Sequence, residues 1–284
     1  MSKLCYVTSF FDIGREKWNY YNRNFDVYFK AFTKMINMFK KFNCVDSVKS
    51  VECVERVNFS LYYEVIVFID ERYYNRVVEC VDGLCNVTVV SINDEFMRNN
   101  IPIWSRLERE GEIMSSETFK NLVKHRYRCP ETYEPKYTLI NHAKVDFVNF
   151  AGIISQAEYF CWLDFGYCGE DYSIADAPLD INKFDKERIN YVLLNPLTEE
   201  DNDVVNTIVV AREKVSGGFF FCSREKMEEY RKLYSDVHKW FQDNNLADDD
   251  QNLVIQCNFR RPDLFKFECL YGWFKGLTHY SIKC

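Results

Sequence analysis

Glycine and proline are scarce in this chain of 284 residues, at 10 and 6, and histidine is scarcer still, at 4. No low-complexity tract, internal repeat or obvious linker interrupts the sequence, which argues against disorder and against a chain of several tethered modules. Twelve cysteines run from Cys5 to Cys284, yet there is no Cys-x-x-Cys pair and no Cys/His cluster at zinc spacing. A disulfide scaffold belongs to small secreted chains, so reduced thiols are expected, with Cys161 and Cys222 acting as small hydrophobes inside apolar runs. No stretch approaches the about eighteen consecutive apolar residues of a membrane span. The start, Met-Ser-Lys-Leu-Cys-Tyr-Val-Thr, lacks the apolar core of a signal peptide, and a cytoplasmic location is the expectation. Positive charge is not in excess either: the net charge is −7. A nucleic-acid role is therefore disfavoured, and the lysines at 34, 40 and 41 read as a solvated helix face. Neither a nucleophile elbow nor a Walker loop occurs, which leaves hydrolase and P-loop readings without support.

What is present is an ordinary globular balance, 47% apolar and 28% charged, in a length that suits one α/β domain of generous size. The aromatic share, 17%, is high and matches the bias of an AT-rich coding sequence; it is given no functional weight.

Hydrophobic periodicity outlines alternating strands and helices. Leu4 to Phe10 reads as a first strand running into a loop at Asp12-Ile13-Gly14. Phe25, Tyr28, Phe29, Phe32, Ile36 and Phe39 recur at helical steps. Strands follow at 63–69 and 87–92 with a helix through Val77 and Val78 between them. This is the pattern of a parallel sheet with crossover helices. Residues 94–128 read as charged helix broken at Pro102, and 144–154 as a helix leading into the apolar strand Tyr159 to Leu163. The segment from Ala175 to Asp185 reads as a loop. Strands are expected at 191–194, 207–211 and 218–222, the last meeting a helix with Ser223 as N-cap and Met227, Tyr230, Leu233, Val237, Trp240 and Phe241 on its apolar stripe.

Asp164 is the strongest chemical candidate. It ends the strand Cys161-Trp162-Leu163, before Phe165-Gly166, and ligands of open α/β sheets bind beyond the carboxyl ends of strands. A carboxylate there suits a divalent metal, a ribose hydroxyl, or merely the cap of a turn before glycine. The tripeptide Asp164-Phe165-Gly166 is shared with the metal motif of protein kinases. The glycine-rich loop, strand lysine and His-Arg-Asp loop of a kinase are missing, which excludes that class.

Thr8-Ser9-Phe10-Phe11-Asp12-Ile13-Gly14-Arg15-Glu16-Lys17-Trp18, taken with Tyr159-Phe160-Cys161-Trp162-Leu163-Asp164-Phe165-Gly166, resembles the HtrL/YibB family of bacterial and viral proteins over most of the chain. That family is similar to glycosyltransferases of the GT-A type, so the resemblance implies a GT-A-like, Rossmann-type mixed sheet, mostly parallel and flanked by helices. It implies that Thr8, Asp12, Arg15, Lys144 and Trp162 lie on the side of the nucleotide donor. Arg15 would grip a diphosphate, or else form a surface ion pair; Lys144 would reach a phosphate, or else stay solvated. It implies Asp164 as a ligand of Mn²⁺ or Mg²⁺, although only one carboxylate stands where such enzymes commonly carry Asp-x-Asp. His279 resembles a C-terminal histidine that completes a metal shell. Gly217 and Gly218 would border the acceptor pocket, or only form a tight turn. Asp250, with Gln251 beside it, is either the base for an acceptor hydroxyl in an inverting transfer or a favourable charge at a helix start. His125, His142 and His238 show no ligand spacing.

The expected function is metal-assisted transfer of a sugar from a nucleotide donor, a UDP-sugar for preference, to a hydroxyl of a glycan, protein or small molecule. The missing second carboxylate keeps open a non-catalytic carbohydrate- or nucleotide-sugar-binding protein on the same fold. A structural or host-interaction protein is a third reading.

Overall fold

The computed structural model describes residues 4–44 and 63–283. At its centre lies β1 (Leu4–Phe10), paired in parallel with β2 (Tyr63–Asp70) on one side and β4 (Tyr159–Leu163) on the other. Beyond β2 lies β3 (Val87–Ile92), also parallel. On the far side come β6 (Val215–Ser223), β5 (Ile189–Leu193) and β7 (Phe265–Cys269), giving the order β3-β2-β1-β4-β6-β5-β7. β6 pairs antiparallel with both β4 and β5, and β5 pairs parallel with β7, so β6 alone runs against the other six strands. This is the mixed, mostly parallel sheet that the family resemblance implies; the alternating pattern predicts its parallel part.

Helices cover both faces because alternate residues of each strand point to opposite sides. Leu4 and Tyr6 of β1, with Phe219 and Phe221 of β6, pack under α1 (Phe25–Cys44), α2 (Tyr74–Val81) and the short α10 (Gly276–Tyr280). Cys5 and Val7, with Phe220 and Cys222, join the opposite core. That core is built from α3 (Asp94–Asn100), α4 (Leu107–Ser115), α5 (Glu117–Leu122) and α6 (Pro135–Ile154). Two later helices complete it, α8 (Arg224–Asp243) and α9 (Asp250–Arg260). The stripe of α1 buries Phe25, Phe32, Ile36 and Phe39, while Lys34 stays at the surface, paired with Asp171 at 2.8 Å.

Three local expectations need correction. The segment 207–211 is not a strand but part of α7 (Val204–Val210). Its β-branched residues suggest a strand, yet the Asp203 carboxylate caps the Asn206 N–H at 3.0 Å, and Thr207 and Ile208 are buried on the inner side. The helix expected from Lys144 begins at Pro135, whose fixed φ suits the first helical position. Its first half buries Thr138, Leu139, His142 and Ala143 in the protein core, so no clean polar face announces it. Ser223 precedes α8 as expected, but its hydroxyl makes no capping bond.

All nine cysteines whose side chains are described are free, and burial pushes the Cys161 and Cys222 thiols well above their ordinary range. No helix among the described residues is long and apolar enough to cross a membrane.

Candidate active site

The carboxyl ends of β1 and β4 meet the amino end of the reversed β6 at one sheet edge, and a cleft of about 510 Å³ opens there. Asp164 leaves β4 into this cleft. Its backbone N–H donates to the Gly218 carbonyl at 3.0 Å, and the Trp162 indole Nε1 donates to Oδ1 at 2.8 Å. Lys144, projecting from α6, is 8% exposed at its side chain. Its Nζ lies 3.2 Å from Asp164 Oδ1, 2.8 Å from Asp250 Oδ2 and 3.0 Å from the Gly217 carbonyl. Burial opposes the charge on Lys144, but Asp164 and Asp250 outweigh it and hold the pKa above the ordinary lysine range. Asp250 opens α9; burial pushes its carboxyl up, and Lys144 pulls it back.

The two glycines of β6 exist for this approach. A Cβ on Gly217 would lie 2.6 Å from Asp250 Oδ2, and one on Gly218 would lie 3.3 Å from Asp164 Oδ2. At Gly217 any side chain would displace Asp250, whereas at Gly218 a Cβ would make a tight contact that a shift of a few tenths of an ångström relieves. The structure thus brings together Lys144, Trp162, Asp164, Gly217, Gly218 and Asp250, drawn from two strand ends and two helices. Gln251 lines the same cleft; its side-chain amide donates to Asp249 Oδ2 at 3.0 Å, and its Oε1 is buried without a partner among the described residues.

The other wall is the loop after β1. Asp12 is engaged in shaping that loop: its carboxylate accepts from the Gly14 N–H at 2.8 Å and the Tyr73 hydroxyl at 3.0 Å, and pairs with Arg72 at 3.2 Å. Buried Asp70, at the end of β2, accepts from the Asp12 N–H and from Arg72. Although burial opposes it, these donors hold Asp70 below the usual carboxylate range. Arg15 faces the cleft with no carboxylate within ion-pair distance among the described residues. Its Nε donates to the Tyr21 carbonyl and its Nη1 to the Tyr28 hydroxyl, at 2.8 and 2.5 Å. The guanidinium also lies over the rings of Trp18 and Tyr137.

Two expected residues stand apart. Thr8 is buried within β1 and does not line the cleft. His279 also lies off the cleft lining, with Nε2 2.9 Å from Glu268 Oε1. Sequence reasoning missed Arg23, Arg126 and Arg212, which line the cleft from loops. Arg126 is buried with Glu131 and Asp248 as partners at 2.6 and 3.4 Å; its one sequence signal is the basic run Lys124-His125-Arg126-Tyr127-Arg128.

The cleft lining holds five cationic side chains (Arg15, Arg23, Arg126, Lys144, Arg212) against seven carboxylates (Asp12, Glu131, Asp164, Glu213, Asp248, Asp249, Asp250). Burial and the neighbouring carboxylates push the Asp249 carboxyl well above its ordinary range, and burial pushes Asp250 upward, so the cations and the ionised carboxylates of the lining are close to balance. Asp164 Oδ1 is taken by Trp162 and Lys144, while Oδ2 accepts no hydrogen bond from the described residues, so that oxygen is placed to meet a divalent ion that draws its remaining ligands from phosphate and water.

A separate buried group, Glu110, His142 and His238, holds ligand atoms within 4.8 Å of one another and is spaced to admit a metal ion. Hydrogen bonds hold both histidine rings, although the buried His238 Nε2, 3.5 Å from Glu110 Oε2, has no hydrogen-bond partner among the described residues. Arg106 donates to His238 Nδ1 at 3.0 Å, which leaves the proton of the neutral ring on Nε2, and His142 is held between the Tyr234 hydroxyl and the Asp248 carbonyl.

The sheet order, the helices on both faces and the cleft at this edge define a GT-A-like fold, the class of the glycosyltransferases that the structure resembles. Core-mannan synthase A from Aspergillus fumigatus, solved in a Mn/GDP form, aligns with a TM-score of 0.52 at 9% identity, covering 100% of this chain and 79% of that one. Mouse xyloside xylosyltransferase 1, in its apo form, aligns at 0.46 and 10% identity, covering 94% and 84%. By sequence, the chain belongs to the HtrL/YibB family, described as bacterial proteins of unknown function, whose model matches residues 2–63 and 49–281. It is 27% identical over 283 residues to protein HtrL of Escherichia coli K12, covering 95% of this chain and 88% of that protein.

Proposed function

We propose that this protein is a glycosyltransferase that moves a sugar from a nucleoside diphosphate donor, a UDP-sugar for preference, to an acceptor hydroxyl. The observation that carries the reading is the Asp164–Lys144–Asp250 cluster pressed against Gly217 and Gly218 at the ligand-binding edge of a GT-A-like sheet. Asp164 Oδ2 would hold Mn²⁺ or Mg²⁺ together with the donor's phosphates. Bound there, the ion supplies Lewis-acid stabilisation of the departing diphosphate.

The chain's own residues supply the rest. Arg15, without a carboxylate partner among the described residues, grips phosphate oxygens by paired N–H donors. Lys144 adds a fixed positive charge beside the leaving group and holds both carboxylates in place. Asp250 Oδ1, the oxygen that Lys144 leaves free, takes the proton of the acceptor hydroxyl. The acceptor oxygen bonds to the anomeric carbon as the bond from that carbon to phosphate oxygen breaks, and the electron pair leaves on the diphosphate.

Calorimetric titration of UDP and GDP with and without Mn²⁺, followed by turnover of the matching nucleotide sugars, tests the proposal. Asp164→Ala is expected to lose turnover and the Mn²⁺ dependence of binding while its melting temperature holds, since Asp164 is 37% exposed at its side chain. Undiminished turnover in that variant overturns the assignment. A second reading, a non-catalytic nucleotide-sugar-binding protein, is favoured by Lys144 sitting on both carboxylates. It predicts nucleotide binding with no release of sugar from any donor.

A further inference from the structure

Beside the cleft lies a second hollow of about 380 Å³, lined by Lys17, Trp18, Asn19, Tyr20, Tyr127 and Tyr133. Three of its tyrosines are solvent-exposed, Tyr20 at 40%, Tyr127 at 59% and Tyr133 at 38%, in a molecule that buries most of its large aromatic side chains. Clustered rings left in water mark a binding surface more often than scattered ones do. The rings meet edge to face, Tyr20 with Tyr127 at 6.5 Å and Trp18 with Tyr133 at 6.4 Å, so each pair covers one ring face and leaves the other faces uncovered by the partner ring. The Arg128 guanidinium lies over both Tyr20 and Tyr127 and props the pair.

The hollow adjoins the cleft. The two loops that line it, 17–20 and 127–133, run directly into Tyr21 and Arg126 of the cleft wall. Trp18 of the hollow packs 5.8 Å from Tyr137 of the cleft, with Arg15 over both rings. Between Tyr20 and the cleft the chain turns at Tyr21, whose φ of 54° is left-handed, a conformation costly for a bulky residue and held by the hydrogen bond from Arg15 to its carbonyl.

We infer that this aromatic hollow is the subsite for a saccharide acceptor, holding the sugar residues behind the one that receives the transferred unit. The inference rests on the glycosyltransferase reading of the cleft. A pyranose presents C–H groups on one face and hydroxyls around its rim. Exposed ring faces match the first, and Lys17, Asn19 and the tyrosine hydroxyls match the second. The hollow adjoins the phosphate-facing wall without using it, which suits a ligand distinct from the donor.

The test pairs two ligand classes on the full chain. Fluorescently labelled cellohexaose, chitohexaose, mannohexaose and xylohexaose probe the hollow, and UDP and GDP with Mn²⁺ probe the cleft. The wild type is expected to bind at least one oligosaccharide. The double variant Tyr20→Ala/Tyr127→Ala should weaken that binding by about tenfold or more and leave nucleotide affinity unchanged. Tyr127→Phe, which keeps the ring, should restore most of it against Tyr127→Ala. Failure of the wild type to bind any of the four overturns the inference, as does oligosaccharide binding indifferent to the double variant. A parallel loss of nucleotide affinity assigns the hollow to the donor and also overturns it. Absence of nucleotide binding in the wild type sinks the transferase reading instead, and oligosaccharide binding lost in the double variant would still stand as a saccharide site.

Discussion

The ammonium group of Lys144 is what allows Asp164 and Asp250 to share one wall of the cleft. Buried Asp250 and half-buried Asp164 repel each other, and the buried cation between them converts repulsion into two charge-assisted contacts. Lys144→Met should therefore cost on the order of 3–5 kcal/mol, read from urea unfolding, and abolish turnover. A loss below about 0.5 kcal/mol would mean that the carboxylates re-solvate without it. Gly217→Ala separates position from charge. Its Cβ would occupy the space of Asp250 Oδ2, so a stability loss of about 1–3 kcal/mol is expected, with turnover falling by more than the melting shift explains. Unchanged turnover would show that Asp250 can shift without consequence. Asp164, Gly217 and Asp250 were legible in the sequence because each adjoins an apolar strand or opens a helix, whereas Lys144, in the middle of α6, was reached only through the family resemblance. Arg23, Arg126 and Arg212 were not, since loops bring them in through tertiary contacts that no local pattern encodes. His279 drew attention for its residue type, and Glu268, eleven residues earlier on β7, takes it up.

Among the elements, α6 couples the site to the core. One helix carries Lys144 into the cleft, His142 into the buried histidine pair and Asp146 to the Ile103 N–H at 2.9 Å, so the donor wall and the α4–α8 layer are fixed by one rigid rod. Its second half was readable as a helix and its first was not, because burial on several sides erases the amphipathic signal. The opposite failure occurred at α7, where intrinsic β propensity lost to a cap and to packing. Asp203→Ala is expected to destabilise the protein by about 1 kcal/mol in urea unfolding. If stability is unchanged, contacts along α7 rather than its cap hold the helix. The buried strands were the more legible ones, since apolar runs such as Val65 to Ile69 leave few alternatives once glycine and proline are scarce, whereas β7, whose sequence is broken by Lys266 and Glu268, was not expected.

For the whole molecule, the buried histidines tie stability to pH. Burial, aided by neighbouring Arg106, lowers the His238 pKa to about 3, and burial also holds His142 well below its ordinary range. Unfolding exposes rings that titrate near 6.5, so between that value and about 3 the unfolded chain binds more protons than the native one. The stability that His238 contributes is complete above pH 6.5 and is lost as the pH falls through this window. Asp248 acts in the opposite sense: burial raises its carboxyl to about 6, so its contribution declines as the pH rises through the range between about 4 and 6. His238→Gln should flatten the acid-side fall in unfolding free energy relative to wild type, measured by urea unfolding from pH 7 to 4. An identical slope would show that His238 does not set it.

The reversed strand β6 has a consequence for how the chain is made. Its neighbours β4 and β5 are finished well before Val215 emerges from the ribosome, so β4 waits as a bare edge in what will become the middle of the sheet. A chain ending after residue 213 is expected to self-associate through that edge, visible as oligomers in sedimentation, while the complete chain does not. A monomeric truncation would show that helices or loops shield β4 until its partner arrives.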